Sequence, residues 1–308
     1  MILAALFCYN TTYYITKIAG FTLEKEIYTP YSLLHLKVYG SFDEAKLKTV
    51  RAVQLQIDGK EVHYGTVERL ETTEKKDRYF LQVTSKGLTA MLLQNQLTPG
   101  LHPGMSLDKL MTDFYTLPSK ITWEQSSDAS NYLYVKENAS MWDGVTNLTY
   151  KLCQRYPFIR GANEIRMTLP DSYQTYYAGD SVLSAGIVVD ESKLYSDYYM
   201  ADVDGSYGVY HEKDSLAASL ELVRTKQLAL DRQYLYDPPQ ALSYRKKFNQ
   251  RGVRRRYVEL LGAQDLQLGD RLSYKDILDK AVICRVRIMA DQRGIRTRLE
   301  TYQDSFYP

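Results

Sequence analysis

The sequence predicts a mainly β chain with an α+β insertion, read in order as β, then α+β, then β with one helix. Three observations carry that expectation. Short alternating patterns run from about Tyr9 to Val83, two amphipathic helical patterns fill the middle of the chain, and alternation returns from about Tyr173 onward. The 28 tyrosines against 8 phenylalanines fit the same picture, because tyrosine buries a ring while keeping a polar tip at strand surfaces and half-wet interfaces.

The elements follow in order. Ile2 to Cys8 reads as a first strand, too short to cross a bilayer and without a basic leader before it. Segments around Tyr13–Ile18 and Leu33–Val38 continue a meander. Val53, Leu55 and Ile57 alternate with Gln54 and Gln56. Asp58-Gly59 then supplies a tight hairpin, because a type I′ turn needs positive φ at both central residues. Val62 and Tyr64 lie on the return strand, and Tyr79–Val83 is the next. These residues, 1–87, make a first β domain whose meander can close as a barrel or a sandwich.

Residues 88–168 form the expected insertion. Leu107, Leu110, Met111, Phe114 and Tyr115 share a helix face behind Ser106, and Pro118 ends the pattern. A second helix starts after Ser140, with Asp143 completing a capping-box variant and Met141, Val145, Leu148 and Leu152 on one face. Phe158–Arg160 and Glu164–Met167 flank a Gly161-Ala162-Asn163 turn. The second β domain, 169–308, has strands at Gly186–Val189 and Leu194–Ala201 and an ambiguous stretch from Leu216 to Tyr236. Asp237-Pro238-Pro239 opens one helix at about 238–251. A final hairpin pairs Val282–Met289 with Ile295–Thr301. No repeat period of 20 to 50 residues is visible.

Composition narrows the function. With 308 residues, 44% hydrophobic, 25% charged and net charge +2, this is an ordinary globular chain, and the near balance disfavours a dedicated nucleic-acid binder. Cys8, Cys153 and Cys284 lie at no metal or redox spacing and fit a reducing compartment. His35, His63, His102 and His211 have no partner at ligand spacing, so no metal is expected. No nucleophile elbow or phosphate loop occurs, and neither catalytic residues nor a cofactor are expected. Asp190, Glu191, Asp197, Asp202 and Asp204 cluster near tyrosines. That leaves open a cell-wall glycan hydrolase, or a glycan-binding module that uses the same surface without turnover.

The sharpest charge feature places seven cations in twelve residues: Arg245, Lys246, Lys247, Arg251, Arg254, Arg255 and Arg256. Nucleic-acid phosphates, a helix C-terminal dipole and a subunit interface each account for such a run. The interface reading is preferred, because only Phe248 and Tyr257 interleave aromatics. Tyr195, Tyr198 and Tyr199 are the accompanying candidate interface residues.

The Phe21–Ser32 segment, the Ile57-Asp58-Gly59 to Val62-His63-Tyr64-Gly65 hairpin, the Thr84–Asn95 stretch and Leu266–Tyr274 together resemble the baseplate hub proteins of phage tails, of the late-control-D type. The resemblance covers most of the chain and rests on pattern. It implies two tube-like barrels per chain and a homotrimer whose six barrels adapt a six-fold tail tube to a three-fold spike. The implied partners are further copies of itself, the tail tube protein, a spike or tail-tip protein, other baseplate proteins and the tape measure protein. The implied location is the tail baseplate of a virion or phage-like particle, assembled in the bacterial cytoplasm without membrane insertion. With four residues after Asp304, the expected hub recruits its tip and any wall-degrading enzyme as separate chains.

Overall fold

The computed structural model describes residues 1–8, 11–40, 44–75, 78–170, 175–179, 181–230 and 237–302. The chain is mainly β with small helical insertions. Its centre is a 13-stranded sheet that draws strands from both ends of the sequence, and smaller sheets of two, three and three strands lie outside it.

The strand order resolves into two similar circuits. In the first, strands run in the order Thr12–Ile15, Ile2–Cys8, Val50–Ile57, Lys60–Lys75, Arg78–Gly87, Leu33–Tyr39, Ile18–Glu26. In the second the order is Thr175–Tyr177, Arg271–Tyr274, Leu278–Asp291, Gly294–Tyr302, Arg254–Leu261, Val182–Val189. In each circuit the two end strands are successive in the chain. Thr12–Ile15 turns into Ile18–Glu26 where Ile18 N donates to Thr16 O at 3.1 Å, and Thr175–Tyr177 turns into Val182–Val189 where Val182 N donates to Gly179 O at 3.2 Å. Apart from Ile2–Cys8, which is interposed in the first circuit, the connectivity is the same. The circuits join where Ile18–Glu26 pairs antiparallel with the second half of Leu278–Asp291.

Alternation explains why these segments are strands. Val53, Leu55 and Ile57 point inward, as do Leu34, Leu36 and Val38, and Leu81 and Val83. They meet Val258, Leu260, Leu272, Val286, Ile288 and Leu299 of the second circuit in one apolar core. Asp58 and Gly59 both have positive φ, 50° and 79°, and close the Ile57–Lys60 hairpin as the turn chemistry requires.

The insertion has its own core around Leu92, Leu107, Leu110, Met141, Trp142 and Ile165. Ser106 caps the helix Leu107–Thr112, accepting from Lys109 N at 3.2 Å. This helix stops at Thr112, short of the pattern that extended to Tyr115. Ser140 and Asp143 form a complete capping box at the start of Met141–Cys153. Polar links to both circuits tie the insertion down. Lys25 Nζ donates to Gly161 O at 2.7 Å from the first circuit, and Arg160 Nη2 donates to Asp270 of the second at 2.9 Å.

Between Val182–Val189 and Arg254–Leu261 lies a small layer. Strand Asp197–Ala201 is flanked by Tyr207–Lys213 and Thr225–Leu228, with helix Pro238–Gln250 packed on it through Ala241 and Leu242. Asp237 caps that helix, with proline at its first positions as the sequence indicated. The strand expected over Leu194–Ala201 begins only at Asp197, because a 3₁₀ turn at Glu191–Lys193 precedes it and Leu194 is buried. Within Leu216–Tyr236, Ser215–Ser219 is helical and Thr225–Leu228 is a strand. Tyr9, Tyr173, residues 231–236 and the tail from 303 lie outside the described residues.

Candidate assembly surfaces

The basic run lies on helix Pro238–Gln250, its C-cap Arg251, and strand Arg254–Leu261. Much of its charge is occupied within the chain. Lys246 Nζ donates to Glu212 Oε2 at 3.1 Å and to Lys213 O at 2.8 Å. Arg251 sits 3.6 Å over the Phe248 ring and 4.4 Å over that of Tyr28. Arg255 Nη1 donates to Glu300 at 3.1 Å, and Arg256 Nη1 donates to Ile277 O. Arg245 is half-buried on the helix, while Lys247 and Arg254 are exposed. The run therefore offers solvent chiefly Lys247 and Arg254.

The tyrosines divide differently. Tyr198 is 0% exposed in the core under the helix, and this corrects its reading as an interface residue. Its position faces inward on an alternating strand, and burial pushes its hydroxyl up to about 12, assisted by the charge of Asp214. Tyr195 is half-buried with Lys226 5.1 Å from its ring centre, and Tyr199 stacks on His211 at 4.2 Å.

The acidic cluster is engaged in turns and caps. Asp190 caps the Glu191–Lys193 turn, and its hydrogen bonds with Ser192 hold its carboxyl below the ordinary value. Asp197 is likewise held low by Ser196 and then by His211, whose Nε2 lies 2.9 Å away. Asp202 accepts from Asp204 N at 3.0 Å and from Ser206 N at 2.8 Å. A glycosidase acid needs a raised carboxyl, and Asp190 and Asp197 are shifted the other way. Among the described residues no group of three or more His, Cys, Asp or Glu could hold a metal ion. No helix among them is long and apolar enough to cross a membrane.

Two features escaped the sequence reading. One is an ionic lattice on the outer face of the joined sheets. Glu24 accepts from Arg285 Nε at 3.0 Å and from Arg287 Nε at 2.8 Å, and the buried Glu300 takes Arg255 and Arg298 at 3.1 and 3.0 Å. Burial alone would raise the Glu24 carboxyl, but the two arginines outweigh it and hold it low. Only the alternation of charge in Val282–Met289 hinted at this. The other feature is an apolar stripe along Val182–Val189. Leu183, Ile187 and Val189 are 54%, 56% and 57% exposed on a strand that, among the described residues, pairs only with Arg254–Leu261. In sequence its apolar run reads as an ordinary buried strand.

No protein-family model matches the chain, and no curated protein sequence does. Solved structures do match. A tail protein from Neisseria meningitidis aligns over 99% of this chain and 98% of its own, at 12% identity and a TM-score of 0.72. The 43 kDa tail protein of prophage MuSo2 from Shewanella oneidensis aligns over 99% and 100%, at 10% identity and 0.73. A component of the type VI secretion system from Escherichia coli, described as similar to T4 bacteriophage tail proteins, aligns over 94% of this chain and 75% of its own, at 6% identity and 0.57. The chain thus has the fold of phage-tail and secretion-system proteins over its full described length.

Proposed function

We propose that this chain is a structural baseplate hub of a phage or phage-like tail, without enzymatic activity. Three copies form a ring that adapts a six-fold tail tube to a three-fold spike. One observation carries the reading: each chain contains two strand circuits of the same order, so three copies present six similar units. The fold shared with tail proteins supports it. The division into 1–87, 88–168 and 169–308, with the insertion held by Lys25 and Arg160, belongs to the same reading, as do tube, spike, other baseplate and tape measure proteins as partners. Lys247 and Arg254 remain available to such partners, whereas the engaged cations brace the protomer. Light scattering tests the proposal. The expected mass is three times the 35.6 kDa chain, and a mass fixed at one or two chains contradicts it.

A further inference from the structure

The two circuits share register landmarks, and these bear on a subunit interface. Hairpin Lys60–Lys75/Arg78–Gly87 pairs Lys75 with Arg78 and has a bulge between Val67 and Arg69. Hairpin Leu278–Asp291/Gly294–Tyr302 pairs Asp291 with Gly294 and has its bulge between Ile283 and Arg285, at the same distance from the turn. A second bulge also recurs, between Ile18 and Gly20 in the first circuit and between Val182 and Ser184 in the second. These landmarks make Arg69–Glu74 equivalent to Arg285–Ala290, and Ala185–Asp190 equivalent to Phe21–Glu26.

The equivalence exposes an asymmetry. Within the chain, Phe21–Glu26 is paired with Arg285–Ala290, and Phe21 and Leu23 are 4% and 1% exposed in the core shared by both circuits. Their counterparts, Ala185 and Ile187, have no covering strand among the described residues, which is why the stripe is bare. The counterpart of the covering strand is also uncovered: pairing of Lys60–Lys75 with Val50–Ile57 ends at Thr66, so Arg69–Glu74 has an open edge among the described residues. One molecule thus contains one complete junction and both separated halves of a second.

We infer that Ala185–Asp190 of one copy pairs antiparallel with Arg69–Glu74 of a second copy, in the register of the internal junction. This deepens the ring reading and rests on it. Transposed register sets Arg69 opposite Asp190, Leu70 opposite Val189, Thr72 opposite Ile187 and Glu74 opposite Ala185. The first pair is opposite in charge and the second apolar, as cross-strand neighbours prefer. Glu71 falls in line with Val188 and, one strand further, with Arg255. The pairing ends at Ala185, as the internal one ends at its counterpart Phe21, and Ser184 follows where a Cβ on Gly20 would lie 2.7 Å from Ala290 O, so the strands must part there. The two halves lie on different circuits, so the contact is head-to-tail, the kind that closes as a ring when its rotation divides a full turn and otherwise grows as a filament. It also disposes of a bare apolar edge that would otherwise promote aggregation.

The test uses the double variant Thr72→Cys with Ile187→Cys, with Cys8 and Cys153 changed to alanine, alongside the control Thr73→Cys with Ile187→Cys. Thr73 and Ile187 point to opposite faces. Mild oxidation should link different copies into a covalent ring for the first pair and not the second. An assembly of normal mass with no cross-link overturns the pairing and leaves the ring reading standing. A monomer at every concentration, without cross-link, overturns both. Ile187→Lys with Val189→Lys, at exposed positions, should keep the circular dichroism of the parent and weaken association by about tenfold or more. Undiminished association of that variant also overturns the inference.

Discussion

Arg285 and Glu24 join the two strand circuits: the Arg285 Nε donates to Glu24 Oε1 at 3.0 Å across the only ladder that connects them among the described residues. Glu24 also holds Arg287, so one carboxylate serves two guanidinium groups on the neighbouring strand. Glu24→Gln should lower stability by about 1–2 kcal/mol, since charge-assisted pairs that are partly shielded exceed ordinary surface bridges. Urea denaturation of the variant checks this. An unchanged midpoint would remove the ionic contribution from the junction.

His63 is fully buried between Ser32 and Ser85, at 2.8 and 2.9 Å. Burial, with Lys25 nearby, lowers its pKa from 6.5 to about 3. Between those values the unfolded chain binds a proton that the folded chain refuses. Stability is therefore full above about 6.5 and falls as the pH drops toward 3. His63→Gln should flatten that part of the profile, measured as denaturation midpoint against pH.

Lys25 acts in the same direction in an alkaline window. Its buried ammonium, hydrogen-bonded to Gly161, is lowered from 10.5 to about 8 by desolvation, against the opposing pull of Asp265. Between pH 8 and 10.5 the unfolded chain retains a proton that the folded chain releases, so stability rises with pH across this interval. Lys25→Met should abolish that rise in the same measurement.

The basic run should split into two classes. Arg255→Glu places a carboxylate against the buried Glu300 and should cost the monomer about 3 kcal/mol or more. Lys247→Glu with Arg254→Glu, both exposed, should leave thermal unfolding within about 0.5 kcal/mol of the parent while reducing capture of partner chains. Thermal melts and co-purification separate the classes. Equal destabilisation by both would contradict this division.

Local chemistry was legible in the sequence wherever it determined local structure. The Asp58-Gly59 turn, the Ser140/Asp143 capping box and the Asp237-Pro238 helix start all appear where their residues placed them. What sequence could not supply was pairing between distant segments. Glu24 meets Arg285 across 261 positions, and alternation along either strand says nothing about its neighbour. Tyr198 shows the same limit on a smaller scale. A strand of tyrosines presents two faces, and only the helix packed above Tyr198 identifies the buried one. The duplication was invisible because bulges and turn lengths preserve register without preserving side chains.

Averaged electron micrographs of the purified chain test the central claim most directly. The account predicts end-on views with three-fold symmetry and six similar lobes around an opening. A closed two-fold dimer, or a single compact chain at all concentrations, would contradict it.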